Sequence, residues 1–285
     1  MLSSLFSLRA RLLIVLLIAL VPAFVVSWIG TAYAYREASR DVEASTQQLA
    51  ELAASSQEQL IARVQQLLVT LAHLPQVRDG EEQACSALLA RILQSHTMYT
   101  NLGVIDLEGN VICSGLPADP SLNLRDRRYF QQALQTGNLS VGDYQVGRIT
   151  GLAAINFGYP VMDDSGMVQA IVFTALDLRA MSDFVAEVQL NHEATLTLID
   201  RNGTILARSP DSGQWTGQVL PEAPIVAAML ANPVRNTIEA TGVDGVSRIY
   251  TYIPVANASG ASLFVAVGTP ASVATARAQQ ILLSN

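Results

Sequence analysis

The chain has 285 residues, half of them hydrophobic, and a formal charge of −7 at neutral pH. That length holds one large or two ordinary domains, each with a core of its own. The acidic balance, and the lack of a basic stripe interleaved with aromatics, argue against nucleic acid, whose phosphates need clustered positive charge.

All 17 basic side chains are arginine, which we read as compositional bias rather than chemistry. The apolar excess sits at the N-terminus, where Arg9 and Arg11 precede a run from Leu12 to Tyr35 without a charge. At about 1.5 Å per helical residue, the run is long enough for the roughly 30 Å of bilayer hydrocarbon. The two arginines fit the positive-inside rule, and Trp28, Tyr33 and Tyr35 stand where an outer aromatic belt falls. The expectation is a cytoplasmic segment at 1–11, a transmembrane helix at 12–35, and an exported body from about Arg36. A cleaved signal peptide is the rival, with Ala32-Tyr33-Ala34 as its cleavage site, although signal h-regions run only about 7 to 15 residues. Both readings export the body.

Neither Gly nor Pro interrupts Arg36 to Leu74, and Ala, Gln, Glu and Leu dominate, which predicts one long stalk helix over 36–75 ended by Pro75. Leu60, Val64, Leu67, Leu71 and Leu74 form a heptad seam. We expect this later half to pack on the chain's own domain. The earlier half, with Val42, Leu49 and Ala53, is expected to pair with a second copy in a homodimer. Cys85 falls in a predicted helix and Cys113 in a predicted strand. Export favours a bridge between them, with two buried free thiols as the alternative.

The segment "VIDLEGNVI" (104–112) returns as "LIDRNGTIL" (198–206), each an apolar run, an Asp, a Gly three residues on, then more apolar residues. That is a hairpin pattern. Pro160, Val161 and Gly166 likewise recur at Pro254, Val255 and Gly260, at the same offset of 94 residues as Asp106 to Asp200. A constant offset over two separated hairpins points to a duplicated module. Each copy reads β-β-α-β-β-β, an antiparallel sheet with a helix and loops on one face. The class is therefore α+β. The first module is placed at 76–190 and the second at 191–269. Thr269-Pro270 then acts as the cap of an exit helix over 270–285.

With the anchor, the long helix, the tandem modules and "NLRDRRYFQQALQTGNLSVGDYQVGRITG" in place, the chain resembles the extracytoplasmic half of a bacterial receptor with a double Cache domain, a pair of PAS-like modules. The likeness covers Arg36 to the C-terminus. It implies an inner-membrane protein with a periplasmic sensor, a small-molecule ligand in the membrane-distal module, and a relay through the exit helix. The relay would run to a second span and a cytoplasmic effector such as a histidine kinase or diguanylate cyclase.

Arg125, Arg127 and Arg128 gather at a predicted helix start, where a cation opposes the helix dipole unless something compensates. A bound carboxylate would do so. In amino-acid-binding relatives the stretch has an upstream Tyr, then Arg-x-Trp-Tyr, Tyr-x-Asp-x-Tyr and a later Asp. Arg127 matches the Arg, Tyr129 stands for the Trp, Asp143 matches the first Asp, and Asp177 stands at the place of the last. Leu122, Phe130, Val141 and Gln145 replace the tyrosines. With the acid-and-base frame partly present and the aromatic box missing, the expected ligand is a small anionic or zwitterionic metabolite rather than a free α-amino acid. Tyr144, Arg148, Asn156 and Tyr159 are on strands that can line the same pocket.

His73, His96 and His192 are far apart in sequence with no ligand spacing around them, and no nucleophile elbow, zincin helix or P-loop occurs. No metal, cofactor or catalysis is expected. Two other readings stay open: an anchored or secreted enzyme, and a ligand-free dimerisation module.

Overall fold

A stretch free of Gly and Pro and rich in Ala, Leu and Gln gives one continuous helix, α1 (Leu8–Ala72), in the computed structural model. The structure describes residues 8–187, 190, 193–257, 260–273 and 275–276, and before Arg36 chiefly the backbone. Residues 12–35 are therefore helical, but the surroundings of the expected span lie outside the described residues. Among the described residues, no helix is long and apolar enough to cross a membrane.

The helix stops at Ala72 and not at Pro75. Leu74 is extended, as a residue before proline tends to be, and Pro75 then opens the short α2 (Pro75–Arg78) at a position where its missing N–H costs nothing. Ile61, Val64, Leu68 and Leu71 are the buried stripe of the later half, with Leu60, Leu67 and Leu74 half-buried beside it. The expected seam is thus one edge of a wider face.

The earlier half departs from expectation. Ala38, Val42, Thr46, Ala50 and Ala53 are buried against the chain's own second sheet, and Thr46 shares a 2.8 Å hydrogen bond with Thr269. That face is already covered, so it does not offer the dimer seam assigned to it.

After α2 come α3 (Glu82–Ser95), the hairpin β1 (Tyr99–Asp106) and β2 (Val111–Ser114), then α4 (Arg128–Thr136) and the meander β3 (Ser140–Val146), β4 (Ala153–Met162) and β5 (Val168–Asp177). A connecting helix, α5 (Leu178–Glu187), leads to β6 (Thr195–Asp200) and β7 (Ile205–Ser209). Then follow α6 (Ser212–Trp215), α7 (Pro224–Ala231), β8 (Asn236–Thr241), β9 (Ser247–Asn257) and β10 (Gly260–Pro270). Two antiparallel five-stranded sheets result, ordered β2-β1-β5-β4-β3 and β7-β6-β10-β9-β8. Their orders are identical.

The repeat extends to individual bonds. Gly109 N–H donates to the Asp106 carbonyl at φ +95°, and Gly203 N–H to the Asp200 carbonyl at φ +79°. The Asp side chains then accept from Asn110 and Thr204 N–H. A bulge follows Val104 in one sheet and Leu198 in the other. Pro160 faces Ile171 while Pro254 faces Phe264, so the offset drops by one residue across the last hairpin. The second copy makes that turn with one residue fewer.

One face of both sheets packs on α1 in a single apolar core; the other faces carry separate cores under α4 and α7. Cys85 and Cys113 are bridged, 28 residues apart, and fasten α3 to the edge strand β2. Thr269, expected to cap the exit helix, is still in β10, and the chain turns helical at 271; residues 277–285 lie outside the described residues.

Candidate functional site

The start of α4 is held down on the first sheet by two aromatic side chains. Tyr129 and Phe130 are buried with Phe173 and Ile171, and the Tyr129 and Phe173 rings lie 5.8 Å apart. Gly158 makes the approach possible, since a Cβ there would come within 2.7 Å of the Tyr129 carbonyl oxygen. Arg127 is the N-cap, in extended conformation, so its side chain leaves the helix axis and turns to the sheet.

Between α4, the sheet and the β3–β4 loop is a cavity lined by Asn101, Arg127, Tyr129, Arg148, Asn156 and Phe173 among others. Its free volume is about 20 Å³, room for little more than a water. Arg127 Nη1 donates to Gln145 Oε1 at 2.7 Å, and the nearest carboxylate, Asp126, is 3.9 Å from Nε. Arg127 Nε and Asn156 Oδ1 are buried without a hydrogen-bond partner. An unmet donor beside a positive charge and an unmet acceptor therefore belong to one cavity. Burial pushes the Tyr129 hydroxyl's pKa up, against the charge of Arg127, and keeps it neutral.

The roof is a clasp. Arg148 on the β3–β4 loop grips Asp126 with two 2.8 Å bonds and donates to the Asn123 carbonyl. Hydrogen bonds from Arg148 hold the Asp126 carboxyl below its usual range against burial, and the charges of Arg148 and Arg127 add to this.

Of the residues expected to share a pocket, Arg127, Tyr129, Arg148 and Asn156 come together here. Tyr159 does not, because it is three positions on from Asn156 along β4, an odd step; it is on the opposite face, near His73 and Arg78. Asp177 binds the backbone N–H and guanidinium of Arg179 at the start of α5. Asp143 and Tyr144 face the second module. Tyr144 N–H donates to Asp200 Oδ2 at 3.2 Å, and Asp143 is 4.0 Å from Arg128. Burial raises the Asp143 pKa, Arg128 lowers it and Asp200 raises it further. Gln145 and Asn101 are members that the sequence reading missed. A separate groove of about 760 Å³ lies between α3, β2 and the 115–120 loop, and none of the residues expected to share a pocket lines it. Among the described residues there is no group of three His, Cys, Asp or Glu side chains able to hold a metal.

The dCache_1 family model, described as a Cache domain, matches residues 34–278. The chain belongs to this Cache family. Cache domains are ligand-binding sensor modules rather than enzymes. Solved structures share the fold. The ligand-binding domain of the Pseudomonas fluorescens chemoreceptor CtaA, in complex with L-leucine, superposes with a TM-score of 0.65 at 17% identity, covering 83% of this chain and 97% of that one. The Pseudomonas aeruginosa chemoreceptor PctB with L-Arg gives 0.65 at 17% identity, covering 81% and 96%. Campylobacter jejuni Tlp3 with L-valine gives 0.64 at 15% identity, covering 85% and 98%. No curated protein matches the chain by sequence.

Proposed function

We propose that this Cache protein is the extracytoplasmic sensor of a membrane receptor, anchored by the apolar run at 12–35, and that its first module binds a small anionic or zwitterionic metabolite. The observation that carries this reading is the pair of unmet groups in one cavity. Arg127 Nε suits a carboxylate, and Asn156 Oδ1 suits an ammonium or hydroxyl donor. The structural neighbours were solved with amino acids, which supports the zwitterionic class. In the closed cavity there is no room for such a molecule, so entry requires the Arg148–Asp126 clasp to part and the β3–β4 loop to lift.

Occupancy reaches the second module through β3. Gln145, bonded to Arg127, is next in sequence to Tyr144 and Asp143, which meet the Asp200 turn of the second sheet. Arg128, adjacent to Arg127, is paired with Asp143. A ligand that draws Arg127 inward shifts these contacts together, favouring one arrangement of the two modules over another. The second module then passes the change to the helix that starts at 271 and onward to a cytoplasmic effector.

A thermal-shift screen of amino acids and small carboxylates tests this. The expected result is stabilisation of the parent by at least one such compound, lost in Arg127→Ala while the unliganded melting temperature stays nearly unchanged. No shift with any compound, or a shift that survives Arg127→Ala, would overturn it.

A further inference from the structure

The second module packs Tyr250 against Gly268 where the first has Asn156 and its cavity, and it holds an unbalanced charge cluster at the same end of its sheet. Arg208 on β7 and Arg248 on β9 are almost fully buried, with side chains 3% and 7% exposed. They share one carboxylate. Asp244 accepts from Arg208 Nη2 at 2.6 Å and from Arg248 Nη1 and Nη2 at 2.6 and 2.8 Å. Among the described residues the other polar partners are neutral, namely Thr197 Oγ1 for Arg208 and the Tyr250 hydroxyl for Arg248, and the Trp215 ring lies 5.6 Å from Arg208 Cζ. Both Nε atoms are buried and unpartnered. Two cations against one anion leave a net positive charge out of water, an expensive arrangement unless an anion is always at hand.

The anion comes from a turn and not from the sheet. Asp244 is on the β8–β9 turn, closed by the Gly242 and Gly245 N–H bonds, and its side chain is 23% exposed. Gly242 makes room for the cluster, since a Cβ there would be 2.9 Å from both Arg248 Nη1 and Asp244 Oδ1. The equivalent loop of the first module, closed by Gly147 and Leu152, carries the basic Arg148. In the second module the loop is the acid and the sheet supplies the bases. This is how a free carboxylate would be held, with the carboxylate tethered to the chain.

We propose that the second module contains a carboxylate-binding site whose resident occupant is Asp244, and that a small free monocarboxylate of about the size of acetate exchanges with it, releasing the β8–β9 turn.

The test uses the full chain in detergent, in an Arg127→Ala background so that the first module does not respond. Asp244→Ala, or Asp244→Asn if the alanine variant fails to fold, is expected to lower the melting temperature. Sodium acetate should then restore it saturably where sodium chloride of equal ionic strength does not, and adding Arg248→Met should abolish the restoration. With Asp244 intact, acetate should speed amide exchange over residues 242–246 relative to chloride. Equal effects of acetate and chloride on the variant would overturn the site, and unchanged exchange in the intact turn would overturn the exchange.

Discussion

The two modules have the same strand order, the same Asp-Gly hairpin and the same bulge, yet they use the space under the helix in opposite ways. In the first, Asn156 faces Ala175 across β4 and β5, and Arg127 caps α4. In the second, the same two ladder positions are Tyr250 and Gly268, and Ala223 caps α7. Tyr250 fills the room that Asn156 leaves, and it fits only because Gly268 has no side chain: a Cβ there would be 2.2 Å from the ring. A shared backbone thus becomes a cavity or a packed core through a handful of side chains. The fold fixes where a site can be, and local residues decide whether there is one.

Transplanting the second module's residues into the first should produce the largest effect. Asn156→Tyr with Ala175→Gly is expected to fill the cavity and eliminate the ligand response found for the parent, with a cooperative melt retained; calorimetric titration would show it. Next is the bridge that only the first module has. Replacing Cys85 and Cys113 by Ala opens a long loop and should cost about 3 to 4 kcal/mol in denaturant titration.

The glycine asymmetry ranks third. Gly268→Ala overpacks a filled core and should cost about 1–3 kcal/mol. The matching Ala175→Gly, at a site with free space, should lose only about 0.5–1 kcal/mol in urea melts. The smallest effect is expected where the modules meet. Burial holds the Asp143 pKa above its ordinary value, so stability is lost as pH rises through that raised pKa. Asp143→Asn should therefore melt higher than the parent near pH 7, and the gain should vanish towards pH 3.

Much of this comparison was legible in the sequence. Duplication, the succession of strands and helices along the chain and the helix opening at Arg127 follow from turn residues and spacing, because Asp-Gly turns and apolar alternation are local properties; the order of the strands within each sheet does not. Side-chain direction was harder. The pleat alone separates Tyr159 from Asn156, and counting residues along β4 would have shown it. Asp143 and Tyr144 follow a break in register after Val141, and a bulge hides which face the next residues take. Asp177 carries no local sign that Arg179 occupies it. The covering of Val42 and Thr46 by the second sheet depends on residues more than 200 positions away, beyond the reach of any local pattern.

The helix α1 holds the two sheets with different grips. Ile61, Val64, Leu68 and Leu71 lock into the first, whereas Ala38, Ala50 and Ala53 lie almost flat on the second. Small side chains bury less apolar area per turn but let backbones approach, and α1 lies closer to the second sheet than to the first, with Thr46 and Gln47 bonded to Thr269 and Thr237. One unbroken helix thus spans both sheets, meeting the first through bulky side chains and the second at close backbone approach.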